Sequence, residues 1–375
     1  MLEKNKIKYF KTTLLLALLF TFLASLKLWH SNRSLPTVAI YEALPPLPLW
    51  LNYILIAIIL LSIIIALFIE KPTSFFIIII SLSGFLILFD LNRMQPHFYM
   101  FFSFLFTLVL YYKNKISYNI LLTIGRIMIF GVYLATGYCK LNECFDNVIY
   151  QWLILPLQSV LNEDVFSVIK KCSLIIPLSE IFIPIGLLIP RLRNIAFVLL
   201  CVTHLTVLFM LSPLFSKPYY IIYPWNISMI VFSFLFFYKA EKFSISCVMD
   251  AFRNNYVKLF VMLYIVVPFV HLVGYIDTNL AFEVYSGKRE YGIVLFSENV
   301  YNKLPPDIKA VTRPKNVFQQ YSIFLDEWAN KDLHSSLYSE KRTIKFYKNY
   351  IAKITNCKSE VYLYVRKNNV DEIVY

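Results

Sequence analysis

The hydrophobic positions of this chain fall in long runs separated by short polar interruptions, rather than being spread evenly. The first run follows the basic start Lys4, Lys6, Lys8 and Lys11 and continues to about Trp29. Leu49–Ile69 and Ser74–Phe89 come next, joined by the hairpin Glu70-Lys71-Pro72-Thr73. A polar turn over Asp90–Tyr99 opens a fourth run, which ends near Tyr112. The fifth is Ile116–Phe145, the sixth Cys172–Ile189, the seventh Asn194–Leu211, the eighth Tyr219–Tyr238 and the ninth about Val257–Val273. A helix needs roughly 17–25 such residues to cross a bilayer. The pattern therefore predicts an all-α polytopic membrane protein of about nine transmembrane helices. No Ala-x-Ala site closes the first run, which is long for a signal peptide, so it reads as the first span.

Two stretches break the pattern. Asp146–Lys171 is mixed and reads as an interfacial or re-entrant piece. From about Asp277 the apolar runs become short and alternating, as in Tyr291–Phe296 and Val361–Val365, which suggests strands. Glu327–Ile351 is dense in Lys and Glu and suggests helices. The chain thus divides into a membrane domain over 1–276 and a small α+β soluble appendage over 277–375.

Composition agrees: 58% of residues are hydrophobic and only 16% are charged. The net charge of +13 would suggest nucleic acid in a soluble chain. Here the cations collect in loops on one side, which points to the bilayer as the partner and not to nucleic acid. Lys71, Lys113, Lys115, Arg191, Arg193, Lys239, Lys242 and Arg253 join the basic start on the inner side. Lys27, Arg33, Arg93, Lys140, Lys170, Lys171 and Lys217 fall on the other. That bias puts the N-terminus in the cytoplasm, and an odd number of spans puts the tail outside, free to dock a periplasmic protein. The cysteines (Cys139, Cys144, Cys172, Cys201, Cys247 and Cys357) form no Cys-x-x-Cys pair, and the histidines have no metal-ligand spacing.

Candidate chemistry lies in the charges inside the runs. Arg126, Tyr133 and Lys140 are spaced by seven and so share one helix face. Glu180 and His204 lie in the sixth and seventh runs, at a depth similar to that of Arg126. Arg126 and Glu180 would neutralise each other as a packing pair, or join His204 in a proton relay or ligand site. Lys140 is open to two readings: an interfacial lysine that snorkels to headgroups, or a base whose proton is loosened by burial. Gly131, Ala135 and Gly137 would let a helix or a flat ligand approach. Asp90 and Arg93 suit an ion pair that closes their turn.

Taken together, Asp90-Leu-Asn-Arg93-Met-Gln95-Pro96 with Tyr99, Arg126 through Tyr133 to Gly137 and Lys140-Leu-Asn, Glu180 with Gly186, His204, and Tyr-Pro224-Trp225-Asn226 resemble the DoxX-like proteins and the horizontally transferred transmembrane (HTTM) domain. The latter is the membrane part of vitamin K-dependent γ-carboxylase. The resemblance covers about residues 1–275, and Gly137-x-x-Lys140-Leu is its most specific element. It implies a bacterial inner-membrane location and a base role for Lys140 toward vitamin K hydroquinone or another membrane quinone. It also implies an outward cavity that holds the quinone, lined by Tyr133, Gly137, Asp90, Arg93 and Trp225, with Arg126, Glu180 and His204 as a supporting network. The carboxylase's large external region is missing, and His97 stands where DoxX-like relatives often have Trp. Quinone-linked redox chemistry or carboxylase-like activity is one expectation. A non-enzymatic membrane subunit that docks a periplasmic partner through its tail is the other.

Overall fold

A computed structural model describes residues 2–41, 43–214, 220–238, 250–316, 319–367 and 370–374. Lys217, Lys239, Lys242, Cys247 and the start of the eighth run at Tyr219 lie outside the described residues. The chain is mostly helical. Its apolar runs become α1 (Leu2–Ala24), continued by α2 (Leu26–Trp29), then α3 (Leu49–Phe68), α4 (Thr73–Phe89), α5 (Pro96–Tyr112) and α6 (Tyr118–Cys139). The mixed segment breaks into a π turn at Phe145–Tyr150, α7 (Gln151–Ile154), a 3-10 turn and α8 (Glu163–Lys170). There follow α9 (Ile175–Leu188), α10 (Arg193–Met210), α11 (Ile222–Phe237) and α12 (Asn255–His271), the last containing a π turn.

Among the described residues four helices are long and apolar enough to cross a membrane: Glu3–Ala24, Leu49–Phe68, Tyr118–Cys139 and Arg193–Met210. A fifth joins them if α8 and α9, bent by 57° at their junction, are counted as one span. The stretches Thr73–Phe89, Pro96–Tyr112, Ile222–Phe237 and Asn255–His271 are apolar but shorter.

The chain forms two compact units. The first comprises Met1–Thr21, Ile59–Ser81 and Pro96–Gly287, and its helices gather around α6. That helix packs against α5, α9, α11 and α12. Gly125, Gly131 and Gly137 make this possible. Six residues rotate a helix by about 240° beyond a full turn, so glycines at this spacing point in three directions. A Cβ on Gly125 would lie 2.7 Å from the Phe236 ring of α11. On Gly131 it would lie 2.1 Å from the Tyr264 carbonyl oxygen of α12, and on Gly137 2.9 Å from the Pro177 carbonyl oxygen of α9. Elsewhere in this unit Phe10 meets the rings of Phe104, Phe232 and Phe236 edge-on at 5.0–5.4 Å. Buried Lys11 directs Nζ at the carbonyls of Ala66, Leu67 and Ile69 (3.3, 3.2 and 2.5 Å), satisfying acceptors that α3 leaves open at its end.

The second unit comprises Phe22–Ile58, Leu82–Gln95 and Lys288–Tyr375. Strands form where the alternation predicts them, within an antiparallel sheet of order β2-β1-β3-β4: β1 (Tyr291–Phe296), β2 (Tyr321–Phe324), β3 (Val361–Lys367) and β4 (Val370–Val374). Gly292, Val294 and Phe296 of β1 face inward. Short helices α13 (Glu298–Lys303) and α14 (Pro306–Lys309) follow β1, while α15 (Leu325–Leu333) and α16 (Lys341–Thr355) cover the sheet. At Gly292 a Cβ would sit 2.7 Å from both Ile344 and Leu325, so the helices press directly on β1.

Candidate acid–base site

The polar face of α6 carries three rungs, each engaged by a different set of neighbours in the first unit. Seven residues advance a helix by about 10.5 Å, which separates the rungs by two turns each. At the lowest, Arg126 Nε donates to the Phe236 carbonyl at 2.9 Å, and its guanidinium lies 6.0 Å from the Phe237 ring centroid. At the middle one, the Tyr133 hydroxyl meets His204 Nε2, and His204 Nδ1 meets Asn226 Oδ1 at 2.6 Å. Asn226 Nδ2 donates to the Ile222 carbonyl at 2.8 Å, so its Oδ1 is the acceptor for His204. His204 therefore carries its proton on Nδ1, and Nε2 accepts the Tyr133 hydroxyl proton.

The third rung is the focus of the site. Lys140 caps α6 in a helical conformation, its amide bonded to the carbonyls of Gly137 and Tyr138. Its Nζ lies 2.9 and 2.7 Å from the two carboxylate oxygens of Glu180 on α9. The side chains are only 8% and 13% exposed, so the two charges neutralise each other largely out of water. Lys140 therefore does not reach out into solvent as a snorkelling lysine would. Asn142 closes the end of the helix, donating to the carbonyls of Cys139 (2.8 Å) and Ser286 (3.0 Å). Ser286 Oγ in turn donates to Glu283 at 2.5 Å, and Glu283 meets His271 Nε2 at 2.6 Å.

This arrangement replaces the expected pairing of Arg126 with Glu180. Arg126 and Lys140 are 14 residues apart on α6, about 21 Å along its axis, so the carboxylate that holds Lys140 is beyond the reach of Arg126. Glu180 sits near the start of α9, which begins only at Ile175, and α9 returns beside the end of α6. The three residues expected at one depth thus occupy separate rungs. Gly137 also takes a different role. Pro177, Glu180 and Ile181 fill the space beside it, which leaves no room there for a flat ligand.

Trp225 is half-buried on α11, its ring 6.3 Å from His97 and 6.0 Å from Phe101. Asp90 and Arg93 belong to the second unit, where both are fully buried. Asp90 caps the turn Leu91–Arg93 and accepts from Arg33, from Asn92 Nδ2 (3.0 Å) and from the Val38 amide (3.3 Å). Arg93 donates to the carbonyls of Leu86 and Trp29, both at 2.8 Å, and to Asn52 at 3.0 Å. The pair does close the turn, as its spacing suggested, but as one edge of a wider network. Asn92 extends that network to the Tyr338 amide (3.0 Å) and the Tyr347 hydroxyl (2.8 Å). Burial, helped by the charge of Asp90, pushes the Tyr347 hydroxyl far above its ordinary value, so it stays protonated.

No known family, curated protein or solved structure matches the chain. The site must be read from its own geometry. Asn226 and Asn142 stood in the sequence only as parts of motifs and Arg33 only as an outer-side cation; none carried a role, because uncharged amides and loop arginines give no signal until a partner's position is known.

Proposed function

We propose that the chain is an integral membrane protein in which Lys140 and Glu180 form an acid–base couple for an acidic hydroxyl, such as that of a membrane quinol. The observation that carries this reading is the contact of one buried ammonium with both oxygens of a partly buried carboxylate. Within the ionised pair the carboxylate is the group free to accept a proton. Glu180 takes it from the hydroxyl, and the Lys140 ammonium, 2.7 Å away, turns to the oxyanion left behind. Lys140 becomes a base itself only by first giving its proton to Glu180. Tyr133, two turns down the same helix, with His204 of α10 and Asn226 of α11, supplies a second chain of proton donors and acceptors.

The resemblance to DoxX-like and HTTM proteins points the same way. So does the pattern of spans: the long helices, the bent pair counted once and the shorter apolar helices follow the nine runs of the sequence. With nine spans the N-terminus is cytoplasmic and the tail lies outside the inner membrane.

A second reading has its own support. The close packing of Gly137 on α9 makes the pair a lock between two helices, as a non-enzymatic subunit would need. Purified protein separates the two. Under the first reading a quinone co-extracts, and both Lys140→Met and Glu180→Gln lose at least tenfold in quinol deprotonation, followed by quinolate absorbance. The exchange Lys140→Glu with Glu180→Lys would restore folding but not activity. If no quinone co-extracts and neither single variant changes quinolate formation, only the lock remains. A reporter fused after Tyr375 that is active only in the cytoplasm would reject the topology.

A further inference from the structure

In the second unit a lysine nitrogen and a cysteine sulfur meet directly, and neither takes part in the proposed chemistry. Lys303 ends α13, and Cys357 follows α16 on the way to β3. Lys303 Nζ lies 3.1 Å from Cys357 Sγ. Asn299, one turn earlier on α13, directs Nδ2 at the same sulfur from 3.5 Å. The thiol gives its own proton to the Thr355 carbonyl, 3.3 Å away. Its lone pairs are therefore turned toward the nitrogens of α13.

The backbone fixes both partners. Asn356 takes the left-handed conformation (φ 53°) that ends a helix, and the Cys357 amide returns to the Ala352 carbonyl at 3.2 Å. Opposite, buried Val300 and Leu304 seat α13, and Tyr301 stacks on Tyr321 of β2 at 4.1 Å. Cys357 is 7% exposed and Lys303 is exposed, so the pair lies just beneath the surface, within reach of a small oxidant. Peroxide converts an accessible cysteine to the sulfenic acid, which condenses with a nearby thiol or nitrogen. Reacting atoms held at roughly 3–3.5 Å are at near-attack distance. The geometry thus supplies both the sulfur and the nitrogen that captures it.

We propose that Cys357 and Lys303 form an oxidative modification site, joined through the action of hydrogen peroxide by a sulfenamide bond. In the first step peroxide transfers an oxygen to Sγ: the O–O bond breaks, the sulfur is oxidised by two electrons, and Cys357–SOH and water result. In the second the amine form of Lys303 attacks that sulfur. The Nζ–Sγ bond forms, the S–O bond breaks, and the hydroxide leaves as water with a proton from Nζ. Two equivalents of an added thiol reverse the link, returning amine and thiol and forming one disulfide. While it lasts, the bond staples α13, which follows β1, to the turn that leads into β3.

The test treats the full chain in detergent with hydrogen peroxide, digests it without reductant and maps crosslinked peptides by mass spectrometry. We expect one peptide pair that joins Lys303 to Cys357, two hydrogens lighter than the sum of its parts and absent after dithiothreitol. Lys303→Arg keeps the charge at an exposed position, so the thermal midpoint should hold. It should nevertheless abolish the pair and let Cys357 run on to the sulfinic acid. Lys358→Arg, beside Cys357 in the sequence, should leave the yield of the pair unchanged. A wild-type chain that reaches the sulfinic acid without forming the pair, or a crosslink lost with Lys358 and kept without Lys303, would overturn the proposal.

Discussion

At the scale of single residues, what a polar group does here is decided by which partner lies level with it. Lys140 and Arg126 share a helix face, and both are cations in an apolar run. Yet one meets a carboxylate and the other a backbone carbonyl. The stripe itself was legible in the sequence, because spacing by seven fixes azimuth. The partner was not, because it depends on the height at which α9 begins, and the bend after α8 sets that height. Glu360 offers a residue-scale test in the second unit. The Ser297 hydroxyl and then Asn299 Nδ2 (2.8 Å) donate to its carboxylate and hold its pKa below the usual carboxyl range. Since the folded value is the lower one, this contribution to stability is complete above the unfolded Glu value of roughly 4.3 and is lost as pH falls through the folded value. Asn299→Ala should therefore move the acid-induced loss of amide protection in β1 and β3 to higher pH. Superimposable exchange profiles would show that the bond contributes nothing.

At the scale of elements, α6 shows why one helix can contact so many others. Each of its three glycines removes a side chain where a different neighbour comes close. The sequence marked Gly131 and Gly137 as sites of close approach but left open whether a helix or a ligand would use them. Helix packing takes both. The strictest position is Gly131, because the backbone oxygen facing it lies closer than the one facing Gly137, and no rotamer change can move it. Gly131→Ala should cost about 1–3 kcal/mol, the usual range for forcing extra volume into a packed core. Gly84→Ala in α4 serves as its opposite: nothing lies within 4 Å, and alanine favours a helix interior by up to about 1 kcal/mol. Thermal unfolding of the two variants in detergent checks the contrast, and equal midpoints would contradict it. The strands at Tyr291–Phe296 and Val361–Lys367 were legible from alternation alone. Membership of the second unit was not, since residues 22–58 and 82–95 join it through hydrogen bonds of Arg93, Asn92 and Asp332 that hydropathy does not record.

At the scale of the whole molecule, the ion pair between α6 and α9 has a consequence for biogenesis. Lys140 leaves the ribosome 40 residues before Glu180. A lone charge at mid-membrane costs about 2.5–3.5 kcal/mol on insertion, and less near a helix end. During that interval α6 is an incomplete tenant of the bilayer, and the insertion machinery must shelter it until its counter-ion is synthesised. Chains arrested just before Glu180 should therefore keep α6 crosslinked to the translocon, and chains arrested after α10 should release it. Glu180→Gln should hold it back at both lengths, and early release in every chain would show that the pair plays no part in the timing. The contact proposed above as an acid–base couple would then also act as a checkpoint on the order of assembly.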